Sequence, residues 1–184
     1  MEMGNIILVT GGSRSGKSTY AEELLKDKEN VLYIATAIVT DEEMAARIQK
    51  HRERRDNSWS TFEGYKNLND AVASFSGEYI LLDCVTVMIT NLMFEEERDF
   101  DNISQSEIET LEKQIENQFN ILVQSVKEKD KTIVMVTNEV GCGLVPEYKL
   151  GRIFRDIAGR MNQKLGAVSD EVYLVTCGIP LKIK

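Results

Sequence analysis

Short apolar runs alternate along this chain with longer stretches in which apolar residues recur every three or four positions. Ile6-Ile7-Leu8-Val9 is the first run, with the length and continuity of a buried parallel strand. Ser18 to Leu25 reads as a helix with Tyr20, Leu24 and Leu25 on one face, followed by a charged turn, Lys26 to Asn30, and a second strand, Val31 to Thr36. Asp41-Glu42-Glu43 places acid in the first turn of a helix that carries Met44, Ile48 and His51 on a common face. Asp56 to Leu68 is polar and irregular, Asn69 to Phe75 is briefly helical, and Tyr79-Ile80-Leu81-Leu82-Asp83 is a third strand. An apolar segment, Thr86 to Phe94, and an acidic, solvated loop, Glu95 to Asp101, lead into a long amphipathic helix from Ile103 to Lys129. Its stripe of Ile108, Leu111, Ile115, Phe119, Leu122 and Val126 is core. Ile133 to Thr137 is the fourth strand, Asn138 to Pro146 a loop, and Leu150 to Leu165 a helix that buries Ile153, Phe154 and Ile157. Val172 to Thr176 is the last clear strand, before a short tail from Ile179 to Lys184. Strands alternating with helices predict an α/β fold with a mainly parallel central sheet flanked by helices, and ligands at the C-terminal strand ends. No linker or repeat divides it, so residues 1–184 are expected to form one domain.

Between the first strand and the first helix lies Gly11-Gly12-Ser13-Arg14-Ser15-Gly16-Lys17-Ser18, which matches G-x-x-x-x-G-K-[ST]. Glycines let backbone N–H groups curl around phosphate oxygens, and the helix N-terminus adds a partial positive charge. Lys17 can then reach the β- and γ-phosphates, and the Ser18 hydroxyl can ligate Mg²⁺. An accidental match somewhere in a chain of this length is on the order of 1%, and the flanking strand and helix lower it further. The expected fold is therefore a P-loop NTPase of RecA-like type. Asp83 closes an apolar run, the Walker-B pattern, and its carboxylate would hold the hydration shell of the same Mg²⁺.

The totals narrow the partners. A formal charge of −8 argues against nucleic acid or an anionic membrane as the main partner. Cys84, Cys142 and Cys177 form an odd, widely spaced set that suits a reducing cytoplasm better than a disulfide scaffold or zinc site. No run of ~18 apolar residues could span a membrane, and Met1 to Asn5 lacks the start of a signal peptide. The protein is expected to stay in the cytoplasm.

His51 is the sole histidine, so any imidazole chemistry falls on it. Arg47, Arg52, Arg54 and Arg55 make a dense cationic cluster around it in an otherwise acidic chain. Nearby positive charge favours the neutral imidazole, the form able to attack phosphorus. The same cluster would equally serve as a phosphate clamp, with His51 a bystander. Asn138 or Glu139 would sense the γ-phosphate or orient an attacking hydroxyl; a plain structural turn accounts for them as well.

The sequence resembles the bifunctional adenosylcobinamide kinase / adenosylcobinamide-phosphate guanylyltransferase family nearly end to end. The matching residues begin with Val9 to Ser18 and Ala35-Thr36-Ala37, then Asp41, Glu43, Met44, Arg47, Ile48, His51, Arg55, Trp59 and Thr61. They continue through Leu82 to Thr86, Thr90-Asn91-Leu92, Val136 to Gly141 with Gly143, Val145, Pro146 and Glu147, then Arg155-Asp156, Gly159-Arg160 and Asn162-Gln163, to Gly178-Ile179-Pro180-Leu181. The arginine-flanked histidine joined to the Thr137-to-Gly141 block is the most specific part.

The resemblance implies two reactions of coenzyme B12 assembly: phosphorylation of adenosylcobinamide by ATP or GTP, then transfer of GMP from GTP to that phosphate. It implies that His51 carries GMP covalently. It further implies nucleotide contacts from Gly11, Gly12, Ser13, Arg14, Ser15, Gly16, Lys17 and Ser18, from Ala35, Thr36 and Ala37, from Arg52, Glu53, Arg54 and Arg55, and from Glu63 and Asp83. A propeller-like homotrimer is implied too. Competing readings are another small-molecule P-loop kinase with no covalent step, and a nucleotide-driven ATPase switch acting on a macromolecule.

Overall fold

The computed structural model describes residues 4–38, 58–143 and 145–184. The helix expected from Asp41, with His51 and its arginines, lies outside them.

In chain order the elements are β1 (Ile6–Gly11), α1 (Lys17–Leu25), β2 (Val31–Ala35), β3 (Ser60–Glu63), α2 (Leu68–Ser74), β4 (Tyr79–Asp83) and α3 (Val85–Met93). They continue with α4 (Gln105–Glu128), β5 (Thr132–Asn138), α5 (Lys149–Val168), β6 (Glu171–Thr176) and β7 (Ile179–Lys182). All seven strands form one sheet in the order β3-β2-β4-β5-β1-β6-β7. Every pairing is parallel except β6 with β7. The expected α/β architecture with a mainly parallel sheet is what the chain adopts.

Alternation along the strands divides the core in two. Ile6, Leu8, Leu32, Ile34, Ile80, Leu82, Ile133 and Met135 face the four helices α2 to α5. Ile7, Val9, Tyr33, Ala35, Leu81, Val134 and Val136 face α1, which contributes Ala21 and Leu25. The long helix α4 begins at a capping box, in which the Ser104 side chain accepts from Glu107 N–H and the Glu107 carboxylate accepts from Ser104 N–H. It buries Leu111, Ile115, Phe119, Leu122 and Val126, the stripe its periodicity predicts.

Two stretches depart from the expectation. The segment from Asp56 to Leu68 contains strand β3, whose polar Ser60-Thr61-Phe62-Glu63 pairs with β2 at the sheet edge, Glu63 opposite Ala35. The tail from Ile179 is strand β7, which turns back antiparallel on β6 through Cys177-Gly178. Both are edge strands with largely exposed side chains, so neither carries the apolar run that marks a buried strand. The apolar segment after Asp83 is the helix α3, buried through Val85, Thr86, Met88, Ile89, Leu92 and Met93.

Candidate functional site: the C-terminal edge of the sheet

The glycine loop leaves β1 inside the sheet, between β5 and β6. A Cβ at Gly11 would collide with the Val175 carbonyl oxygen, so only glycine lets the loop pass this close to β6. Gly16 stands at the helix N-cap with φ +96°, and Arg14 also has a positive φ of 58°. Gly12, Ser13 and Arg14 are exposed, Ser15 and Ser18 half-buried. The Ser15 Oγ and Thr10 Oγ1 atoms are buried without a hydrogen-bond partner among the described residues.

Lys17 is the first residue of α1, only 7% exposed, and its Nζ donates to Gly12 O at 2.9 Å. Burial lowers its pKa, with Cys84 and Asp83 acting in the opposite direction. A desolvated ammonium with one carbonyl partner has much to gain from phosphate oxygens.

Register brings the other candidates to the same edge. Glu63, Ala35, Asp83 and Val136 form one row across β3, β2, β4 and β5, and Gly11 lies opposite Asn138. Asp83 Oδ2 accepts from the Tyr33 hydroxyl at 3.0 Å, which fixes the carboxylate on the α1 side of the sheet. One carboxylate and one hydroxyl, Asp83 and Ser18, are the donor set that Mg²⁺ takes beside phosphate oxygens and water. No cluster of three His, Cys, Asp or Glu side chains suited to a metal occurs among the described residues.

Thr36 is fully buried. Its Oγ1 donates to Cys84 O and accepts from Cys84 N, both at 2.8 Å, and its carbonyl accepts from Asn91 Nδ2 at 2.7 Å. With its hydroxyl and carbonyl so engaged, Thr36 joins β2 to the turn after Asp83, and the partly exposed Ala37 is the more open neighbour. Glu63 is exposed at the edge of the row. Asn138 Nδ2 donates to Thr86 Oγ1 at 2.6 Å, and its carbonyl accepts from Asn162 Nδ2 at 3.1 Å. Glu139 Oε1 accepts from Gly141 N at 3.1 Å, and Glu139 N donates to Gly11 O at 2.9 Å. Asn138 and Glu139 therefore hold the mouth of the loop together. His51, Arg52, Glu53, Arg54 and Arg55 lie outside the described residues.

Three contributors receive no site role from the sequence: Thr86 and Asn162, which appear there only among the residues shared with the family, and Tyr33, which does not appear among them. The signal for Tyr33 is slight, a single polar tip in the otherwise apolar Val31-to-Ala35 run.

Comparison with known proteins gives a consistent result. Residues 7–183 match the family described as cobinamide kinase / cobinamide phosphate guanyltransferase. The chain is 46% identical over 181 residues to the bifunctional adenosylcobalamin biosynthesis protein CobU of Escherichia coli, covering 97% of this chain and 99% of that one. It is 47% identical over 181 residues to the Salmonella typhimurium protein of the same name, with the same coverage of 97% and 99%. To the bifunctional adenosylcobalamin biosynthesis protein CobP of Pseudomonas aeruginosa it is 33% identical over 180 residues, 96% of each chain.

Proposed function

The chain belongs to the cobinamide kinase / cobinamide phosphate guanyltransferase family, and from that premise we propose that a single triphosphate cradle serves both reactions. It is a bifunctional kinase and guanylyltransferase of cobalamin biosynthesis. The observation that carries the shared cradle is the buried Lys17 beside Asp83, behind a loop framed by Gly11 and Gly16.

In the kinase step, adenosylcobinamide offers its hydroxyl oxygen in line to the γ-phosphorus of ATP or GTP. The new P–O bond forms as the β–γ bridging bond breaks, and the nucleoside diphosphate leaves. Lys17 and the loop N–H groups stabilise charge on the transferring oxygens. Ser18 and Asp83 would hold Mg²⁺, which when bound neutralises charge on the same phosphates. Tyr33 keeps the Asp83 carboxylate oriented.

In the second step the nucleophile meets the α-phosphorus of GTP. We assign it to His51, on the family resemblance and the arginines beside it. A ring nitrogen forms a P–N bond as the α–β bridging bond breaks, releasing pyrophosphate. A phosphate oxygen of adenosylcobinamide phosphate then attacks the same phosphorus, and the P–N bond breaks. Splitting an anion-on-anion displacement in this way replaces one hard step by two easier ones. Arg52, Glu53, Arg54, Arg55, Ala35, Thr36, Ala37 and Glu63 complete the nucleotide contacts in this reading. Of these, Thr36 would contribute through the backbone it anchors.

Assembly as a homotrimer in the cytoplasm belongs to the same reading. The exposed Ile179, Leu181 and Ile183 on the β7 edge are apolar surface that assembly would cover. None of the described helices is long and apolar enough to cross a membrane.

Incubation with α-labelled GTP and Mg²⁺ tests the covalent step. Wild-type protein should yield an acid-labile, alkali-stable adduct, and His51→Ala should lose both adduct and guanylylation while keeping most cobinamide phosphorylation. Absence of any adduct in the wild type would refute the covalent histidine step. Lys17→Ala should slow both reactions by about a hundredfold or more, and unchanged turnover would refute the shared cradle.

A further inference from the structure

The C-terminal hairpin reaches the phosphate loop in a way that neither reaction explains. Cys177 and Gly178 form a two-residue turn with φ of +51° and +77°, the positive pair of a type I′ hairpin. From this turn Gly178 N donates to Ser15 O at 2.8 Å. A Cβ on Gly16 would stand 3.1 Å from Gly178 Cα, so the tip of the hairpin lies directly against the loop.

The consequence follows from the peptide unit. In a trans peptide the carbonyl of Ser15 and the N–H of Gly16 point in opposite directions. Fixing the Ser15 carbonyl toward the hairpin therefore turns the Gly16 N–H away from it. The Gly16 carbonyl in turn accepts from Tyr20 N at 3.0 Å, which ties this stretch into the first turn of α1. One side of the Ser15–Gly16 unit is held by the hairpin and the next by the helix. The hairpin itself is anchored through Glu171, whose Oε1 accepts from Asn5 Nδ2 at 3.0 Å, and whose Oε2 accepts from Lys182 Nζ at 2.6 Å.

We propose that Gly178 is a positioning residue for the phosphate site, its N–H holding Ser15 O so that the Gly16 N–H faces the bound triphosphate. The assignment rests on the glycine loop being the triphosphate site. It makes the last strand part of the nucleotide machinery, although no side chain of the hairpin touches the nucleotide in this account. Positive φ at Gly178 is what allows its N–H to take this direction, so the residue is required for its backbone.

Native chemical ligation at Cys177 gives the cleanest test. A full-length chain carrying glycolic acid in place of Gly178 loses that one N–H donor and keeps every side chain. Its affinity for α,β-methylene GTP, measured by calorimetry against an all-amide chain made the same way, should fall about tenfold, with the melting midpoint little changed. In the recombinant protein Gly178→Val, which resists positive φ, should show a comparable or larger loss. Gly178→Asn, which tolerates that conformation, should recover affinity to within about threefold of the original. Unaltered affinity in the ester chain, or equal losses for Val and Asn, overturns the assignment. Lys17→Ala separates the two layers. Retained affinity in that variant refutes the loop as the triphosphate site, whereas loss there beside a normal ester chain refutes only the role of Gly178. Should Gly178→Val fail to fold, the ester chain decides alone.

Discussion

On one face of the sheet, Leu8, Ile34, Leu82 and Met135 pack beneath α2, α3, α4 and α5. On the other, Val9, Tyr33, Leu81 and Val136 pack with α1, and Lys17 and Asp83 of the proposed site share this side. Asp83 follows Leu81 by two positions and so points the same way, onto the Tyr33 hydroxyl. Lys17 opens α1, the one described helix packed there. The four-helix face is almost wholly apolar and supplies stability through buried area. The α1 face mixes apolar packing with an ammonium, a carboxylate and a phenol, which are hydrogen-bonded at the proposed site. Mutations on the two faces should therefore separate folding from catalysis.

The largest effect expected is on the four-helix face. Phe119 is 1% exposed in the middle of α4. Phe119→Ala should cost about 3–5 kcal/mol in denaturant unfolding, while the folded fraction keeps its kcat in both reactions. A loss of turnover per folded molecule would break the division between the faces.

Tyr33→Phe sits on the other side and should do the reverse. Removing one hydroxyl bond to Asp83 should cost only about 1 kcal/mol in stability. If Asp83 helps hold Mg²⁺ as proposed, the Mg²⁺ concentration for half-maximal turnover should rise about tenfold, because the carboxylate loses the partner that orients it. Unchanged Mg²⁺ dependence in both reactions would remove Tyr33 from the site.

What the sequence disclosed follows from how local each feature is. The loop from Gly11 to Ser18 is written in consecutive residues, and β4 is a continuous apolar run because both its faces are covered. The edge strands β3 and β7 need a partner on one side only, and with exposed side chains they leave no such run. Helix α3 is apolar nearly all round, and burial rather than periodicity decides that Val85 to Met93 is helical. The polar joints are the least legible. Tyr33 with Asp83, Thr36 with Cys84 and Asn138 with Thr86 each join residues distant in the chain, and only the strand order brings them together. The arginine-flanked His51 was legible as a candidate through composition and resemblance, and it lies outside the described residues.

The smallest effect sharpens the comparison at the rim of the α1 face. Tyr20 of α1 meets Tyr173 edge to face at 5.2 Å, and the Tyr173 hydroxyl donates to Glu171 Oε2 at 2.6 Å. Glu171 thus links α1, β6 and β7, and bonds from Lys182, Tyr173 and Asn5 hold its carboxyl below the usual value of 4.5. A carboxylate with a depressed folded pKa stabilises the fold above its unfolded value, and that contribution disappears as pH falls through the folded one. Wild-type stability should therefore decline between pH 4.5 and the lower folded value, by under about 1 kcal/mol for a half-buried group at the sheet edge, and Glu171→Gln should flatten that part of the profile. Because the same carboxylate anchors the hairpin behind the phosphate loop, triphosphate affinity should weaken over the same acid range in the wild type, beyond any loss common to both proteins. Identical acid profiles for wild type and Glu171→Gln, in both unfolding and nucleotide binding, would separate the rim from the site and confine the α1 face's role to Lys17, Tyr33 and Asp83.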